Sequence, residues 1–108
     1  RRPEFASAAR PLLFTGETDS VYMHNTAECT IADAGNERLV IVGKERSHST
    51  VVWNPWIAKA KAMVDFGDDE WPRMLCVETA NVWNDAITLA GGQSHTIRQR
   101  IATRWTGQ

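Results

Sequence analysis

The sequence of 108 residues lacks a long apolar run and an excess of charge of either sign. Its longest aliphatic run, residues 39–42, is far shorter than the roughly 20 residues that a membrane-spanning helix needs. Twelve Lys and Arg against thirteen Asp and Glu leave a net charge of −1, so no positive field attracts phosphate backbones or anionic lipids. We therefore expect neither a membrane nor a nucleic acid as a partner.

Cysteine is scarce, and a signal sequence is not recognisable. Cys29 and Cys76 lie far apart and form no CxxC pair, so we expect both to be reduced and buried. The first residues carry no apolar segment of the length that a secretory signal requires. These two observations predict a cytoplasmic location.

Motifs that hold metals or cofactors are also lacking. His24, His48 and His95 are scattered, and none belongs to an HExxH or HxH pattern. Walker, Rossmann and GxSxG patterns do not occur. Carboxylates at residues 65–70 could bind a hard cation, but a solvated acidic loop is the favoured interpretation. The sequence predicts no cofactor and no metal.

What is present is the composition of one folded domain, with 43% apolar and 23% charged residues. We expect a flexible N-terminal arm over residues 1–10 and one domain over residues 11–108. Five Trp against one Tyr is an unusual ratio, and Trp rings stack well on the C–H faces of sugars. The same rings could simply fill a core, so both interpretations stay open.

Short strand-favouring runs dominate the chain and predict an all-β fold, an antiparallel β-sandwich. Gly and Asn at residues 33–36 and 90–93 predict two tight hairpin turns. Alternation in the last run predicts a long strand with Ile97 and Ile101 facing inward. The Ala- and Lys-rich residues 57–64 predict a helical turn within a loop. The predicted strands are residues 21–23, 29–31, 38–43, 50–53, 74–78, 86–89 and 94–105.

Glu78 is the most suggestive single residue, because it follows an apolar stretch at the end of a predicted strand. A carboxylate in a partly buried position of this kind can serve as a general base. A strand-end glutamate that points to solvent is an equally good interpretation.

Three motifs occur in order along the chain: Trp-Asn-Pro-Trp at 53–56, Gly-Asp-Asp-Glu at 67–70 and Cys-Val-Glu at 76–78. Together they resemble the C-terminal region of the glucose-6-phosphate 1-epimerases, also called hexose-6-phosphate mutarotases, of the aldose 1-epimerase superfamily. Residues 14–22 and 89–95 resemble the flanking segments of that family, so the resemblance covers nearly the whole chain.

The resemblance implies a fold and a set of site residues. The fold would be the C-terminal part of a galactose-mutarotase-like supersandwich. Glu78 would be the catalytic general base that takes the proton of the anomeric hydroxyl, and Asp19 would hydrogen-bond sugar hydroxyls. Trp53, Asn54 and Trp56 would contribute to binding the sugar.

The resemblance also implies what this sequence does not contain. The family's acid histidine and phosphate-binding arginines lie before the point where this sequence begins, and His24, His48 and His95 do not match that histidine. We therefore expect a truncated mutarotase-like domain that binds a hexose or hexose 6-phosphate weakly and does not turn it over alone. The alternative is an active glucose-6-phosphate 1-epimerase whose acid comes from another subunit or histidine. Uncovered strand edges lead us to expect a homodimer.

Overall fold

The computed structural model describes residues 11–107 and the backbone of a short strand at residues 4–5. Most of the predicted arm, residues 1–10, lies outside the described residues, so the division into arm and domain stays a prediction. The elements in chain order are β1 (Glu4–Phe5), β2 (Thr18–Tyr22), β3 (Cys29–Asp33), β4 (Arg38–Glu45), β5 (Ser49–Asn54), α1 (Trp56–Ala62), β6 (Cys76–Ala80) and β7 (Arg98–Trp105).

The strands form two sheets, and the all-β prediction is confirmed. The first sheet has the order β1-β2-β5-β6, and the second has the order β3-β4-β7. All neighbouring strands are antiparallel except β1 and β2, which pair in parallel. In the described part of the chain, no helix has the length and apolar character needed to cross a bilayer.

The hairpin between β3 and β4 confirms the turn predicted at residues 33–36. A short 3₁₀ turn, Ala34–Asn36, joins the strands, and Glu37 adopts a left-handed conformation with φ of 50°. The Asp33 carboxylate accepts hydrogen bonds from the Asn36 amide at 3.0 Å and from Arg38 Nε at 2.8 Å. These side-chain bonds fix the reversal and the register of the hairpin.

The helix α1 is two turns long and follows Pro55 directly. Proline sets a φ of −70° at this point, which suits a helix start. The backbone N–H of Met63 bonds to Lys59 O at 3.1 Å and closes the last turn. The sequence therefore predicted the helical segment with nearly correct bounds.

Two side-chain contacts show which face of the first sheet meets the second. Lys44 Nζ of β4 donates to Thr50 Oγ1 at 2.7 Å, and Gln99 Nε2 of β7 donates to Thr79 Oγ1 at 2.8 Å. Because side chains alternate along a strand, Val52 shares the face of Thr50. A cavity of about 570 Å³ lies between the sheets; its lining includes Tyr22, Cys29, Ile31, Val52, Leu75 and Val77.

The buried apolar cluster lies on the opposite face of the first sheet. Val21, Met23 and Val51 are buried there, and Ala80 and Val82 pack against them. The buried Ser49 hydroxyl accepts a hydrogen bond from the backbone N–H of Val82 at 2.9 Å. This bond holds the segment that follows β6 over the cluster.

The region between β6 and β7 differs from the prediction. Residues 86–89 and 94–97 form no strand, and the turn at residues 90–93 does not close a hairpin, because β6 and β7 belong to different sheets. Ile101 shares the face of Gln99 toward the first sheet but is 62% exposed, and Ile97 is 41% exposed. Ile101 therefore faces inward as predicted, but neither isoleucine is buried.

The two cysteines are free, as predicted, but they are half-buried rather than buried. Burial raises the pKa of the Cys76 thiol, and the neighbouring charge of Glu78 raises that pKa further. Cys76 is thus placed close to the most suggestive carboxylate of the chain.

Candidate functional site

The strand register brings the predicted site residues Asp19, Trp53 and Glu78 to one face of the first sheet. Asp19 pairs with Trp53, and Trp53 pairs with Cys76. In the next row, Val21 pairs with Val51, and Val51 pairs with Glu78. Directly paired residues point to the same side of a sheet, and so do residues two apart along a strand. These six residues form what we call the outer face, turned away from the second sheet.

Glu78 is exposed on β6, the last strand of the first sheet. From Asp19 to Glu78 the path crosses two strand spacings of about 4.8 Å and two residues of about 3.3 Å each, so their Cα atoms lie ~12 Å apart. The same face carries the buried Val21 and Val51, against which Ala80 and Val82 pack.

Trp53 lies between these carboxylates on the central strand β5 and is half-buried. An indole of this kind offers an apolar face for sugar C–H groups, and a carboxylate beside it accepts hydrogen bonds from hydroxyls. The position of Trp53 fits the predicted sugar contact, which stays a prediction.

Asn54 is placed differently from the other predicted ligands, because its side chain is buried and fully engaged. Its Nδ2 donates to Trp71 O and to Met74 O, both at 2.9 Å, and its Oδ1 accepts from the Trp56 backbone N–H at 2.8 Å. Asn54 could contact a sugar only by giving up these bonds. Its side chain instead ties the end of β5 to the loop before β6.

Trp56 begins α1, at the β5–α1 turn that the Asn54 side chain stabilises. Its φ of 62° is unusual for a large side chain, and the Asn54 bond stabilises it. The Trp56 ring packs on Trp71 with centroids 4.3 Å apart and a tilt of 49°. Its predicted sugar contact also stays a prediction.

Comparisons with known proteins show the family of the chain. The sequence profile named Aldose 1-epimerase matches residues 1–102. The chain belongs to the aldose 1-epimerase family. A protein named "Putative glucose-6-phosphate 1-epimerase" from Cenchrus ciliaris is 42% identical over 101 residues, which are 94% of this chain and 30% of that protein. The chain therefore spans about a third of the length of that relative.

Two bacterial relatives carry the same name. The protein from Salmonella typhimurium strain LT2 is 36% identical over 66 residues, 61% of this chain and 22% of its own length. The protein from Haemophilus influenzae strain KW20 is 28% identical over 72 residues, 67% of this chain and 26% of its own length. No solved structure matches this member of the aldose 1-epimerase family.

One histidine of the chain is held by a carboxylate, and sequence reasoning missed it. His24 Nδ1 lies 2.9 Å from Asp85 Oδ1, and the His24 backbone N–H donates to Asp85 Oδ2 at 3.0 Å. The Asp85 side chain is 6% exposed, whereas that of His24 is 73% exposed. No local signal could have joined residues 61 positions apart.

The acidic residues 65–70 are arranged as a solvated loop. Asp65, Asp68, Asp69 and Glu70 are exposed, and Glu70 Oε2 accepts the Gly67 backbone N–H at 2.7 Å. Among the residues that the structure describes, no three His, Cys, Asp or Glu side chains converge to hold a metal ion.

Proposed function

We propose that the outer face of this aldose 1-epimerase-family chain binds a hexose or hexose 6-phosphate, with Glu78 as the group that accepts the anomeric proton. The observation that carries the proposal is the common face of Asp19, Trp53 and Glu78, set by the register of β2, β5 and β6. The names of the relatives support the same substrate class.

The chemistry needs two proton transfers. The Glu78 carboxylate takes the proton from the anomeric hydroxyl, the C1–O5 bond breaks, and the electron pair released onto O5 takes a proton from an acid. Rotation about C1–C2 and the reverse transfers close the ring as the other anomer. Glu78 supplies the base only, so an acid must come from elsewhere.

We propose that the 108-residue chain on its own binds the sugar without measurable turnover. In the described residues Glu78 has no histidine as a hydrogen-bond partner: His24 bonds to Asp85, and the His48 backbone bonds to Asn81 Oδ1 at 2.7 Å. General acid–base groups each contribute about 10² to 10⁴ in rate, so a base alone adds little to spontaneous mutarotation.

A second candidate is an active glucose-6-phosphate 1-epimerase, and the His24–Asp85 pair favours it. A buried carboxylate on Nδ1 orients an imidazole and leaves its Nε2 outward, the arrangement that general acids use. Val21 and Glu78 both pair with Val51, one from each neighbouring strand. His24 follows three residues after Val21. The two candidates differ in whether an acid, from His24, from another histidine or from another subunit, reaches the sugar that Glu78 holds.

Exchange NMR on the anomers of glucose 6-phosphate separates these candidates. We expect the chain to leave the α–β exchange rate at its value in buffer, while saturation-transfer signals report sugar binding. Binding should weaken in Glu78→Gln and persist in Glu37→Gln, a matched change in the exposed β3–β4 turn.

Three outcomes would contradict parts of the proposal. Faster exchange that disappears in both Glu78→Gln and His24→Ala would establish the second candidate. Faster exchange that survives Glu78→Gln would remove Glu78 as the base. Equal saturation transfer to wild type and Glu78→Gln would place the sugar elsewhere.

The cytoplasmic location and the homodimer stay predictions; light scattering at micromolar concentration tests the dimer.

A further inference from the structure

Four neighbouring side chains form a patch on the outer face, two from β5 and two from β6. Trp53 pairs with Cys76, and Val51 pairs with Glu78. Trp53 and Glu78 are therefore diagonal neighbours, about 7 to 8 Å apart. Cys76 and Val51 occupy the other two positions of the patch. A hexose that contacts both Trp53 and Glu78 has to lie over one of these two side chains.

The position of Val51 is covered by the chain itself. Val51 is 2% exposed, and Ala80 and Val82 pack against the buried cluster to which it belongs. The Val82 backbone N–H donates to the buried Ser49 hydroxyl at 2.9 Å, which holds this cover in place. A sugar could lie over Val51 only by displacing Val82.

The position of Cys76 stays accessible, because the residue is half-buried and its thiol is free. Burial raises the pKa of the thiol, and the nearby charge of Glu78 raises that pKa further. The thiol is therefore uncharged at neutral pH, and its sulfur lies near the carboxylate. A neutral thiol beside the Trp53 indole offers a small, weakly polar surface on which sugar C–H groups can pack.

We propose, resting on the proposed sugar site, that Cys76 is a further sugar-contact residue whose thiol lies under the pyranose ring between Trp53 and Glu78. The small side chain leaves the depth that the ring needs. A bound hexose or hexose 6-phosphate then shields the thiol from reagents, and a larger side chain in place of Cys76 excludes the sugar.

Shielding can be measured on the unmodified chain, with Cys29 as an internal control because it lines the cavity between the sheets. Both cysteines are labelled with iodoacetamide in the presence of glucose 6-phosphate and followed by mass spectrometry. The dissociation constant comes from the NMR shift of the Trp53 indole N–H. At four times that constant, labelling of Cys76 should slow about fivefold, since only the free chain reacts, and labelling of Cys29 should not change.

Side-chain size gives an independent test with matched variants. Cys76→Ser keeps the size and should bind glucose 6-phosphate within about twofold of wild type, whereas Cys76→Leu should weaken binding about tenfold or more. Cys29→Leu makes the same change at the other half-buried cysteine and should leave the affinity unchanged. Urea unfolding curves check that the variants are folded. If Cys76→Leu does not fold, the shielding measurement decides alone.

The failure of this proposal differs from the failure of the proposed function. Unchanged labelling of Cys76 while the Trp53 and Glu78 signals shift with sugar would overturn the role of Cys76 and leave the sugar site in place. Equal affinities of folded Cys76→Leu and Cys29→Leu would do the same. No shift of Trp53 and Glu78 in wild type at millimolar sugar phosphate would overturn the sugar site and the role of Cys76 together.

Discussion

Cys76 and Glu78 lie two residues apart on the same side of β6, and burial together with the charge of Glu78 raises the pKa of the Cys76 thiol. The thiol therefore reports on the carboxylate that we place at the centre of the site. Only the thiolate reacts with alkylating agents, so its reaction rate follows this pKa.

Replacing Glu78 with Gln should lower the pKa of Cys76 and speed its alkylation near pH 8. The rate should stay below that of a free thiol, because burial is the larger cause and remains. Iodoacetamide labelling followed by mass spectrometry measures it. Asp68→Asn, in the exposed loop, is the control and should leave the rate unchanged. Equal rates in the two variants would show that the charge of Glu78 does not act on the Cys76 thiol.

Asn54 should be essential for the stability of the β5–α1 turn rather than for binding the sugar. Asn54→Ala leaves the carbonyls of Trp71 and Met74 and the Trp56 N–H without this partner, and we expect a loss of about 2 to 4 kcal/mol in the free energy of unfolding. Near-UV circular dichroism should also lose signal from the Trp56–Trp71 pair.

The exposed Asn84 offers a matched control for that substitution. Asn84→Ala should change the free energy of unfolding by no more than about 0.5 kcal/mol in urea titrations. Equal, small losses of unfolding free energy in both variants would show that the Asn54 bonds do not stabilise the β5–α1 turn.

Lys44 should make stability depend on alkaline pH. Burial lowers its pKa, although Cys29 and Asp85 oppose this shift, so folding disfavours the charged amine. The charged amine of Lys44 therefore lowers the free energy of unfolding at neutral pH. This cost disappears as the pH rises from the lowered pKa of the folded state to the ordinary value of 10.5.

Urea unfolding at neutral pH and near pH 10 measures this effect. The stability of wild type relative to Lys44→Met should rise between the two pH values. Lys61→Met, on the exposed side of α1, is the control and should show a smaller change. A relative stability of Lys44→Met that is constant, or that moves the opposite way, would contradict the burial of Lys44.

Local pattern predicted the strands that are rich in β-branched residues, such as 38–43 and 50–53, since a pleated, half-covered surface favours them. It failed at residues 86–89, because Ile87 and Leu89 look strand-like while a strand also needs a neighbour to pair with. The exposure of Ile101 has the same origin: alternation predicts its face but not what covers it.

For the candidate site too, local sequence suggests some features and carries no signal for others. The common face of Asp19, Trp53 and Glu78 follows from strand register, which the motifs could suggest but not establish. The role of Asn54 depends on backbone carbonyls 17 and 20 residues away, and the His24–Asp85 pair spans 61 residues. Contacts of this range arise from the tertiary fold and leave no local signature.

The central claim is that the outer face binds a hexose, and an NMR titration of the chain with glucose 6-phosphate tests it most directly. The Trp53 indole N–H and the amides of Asp19 and Glu78 should shift together, with the shifts weakened in Glu78→Gln and Asp19→Asn but kept in Glu37→Gln. Shifts confined to the inter-sheet cavity, at Val52 and Val77, or no shifts at millimolar sugar phosphate would contradict the claim.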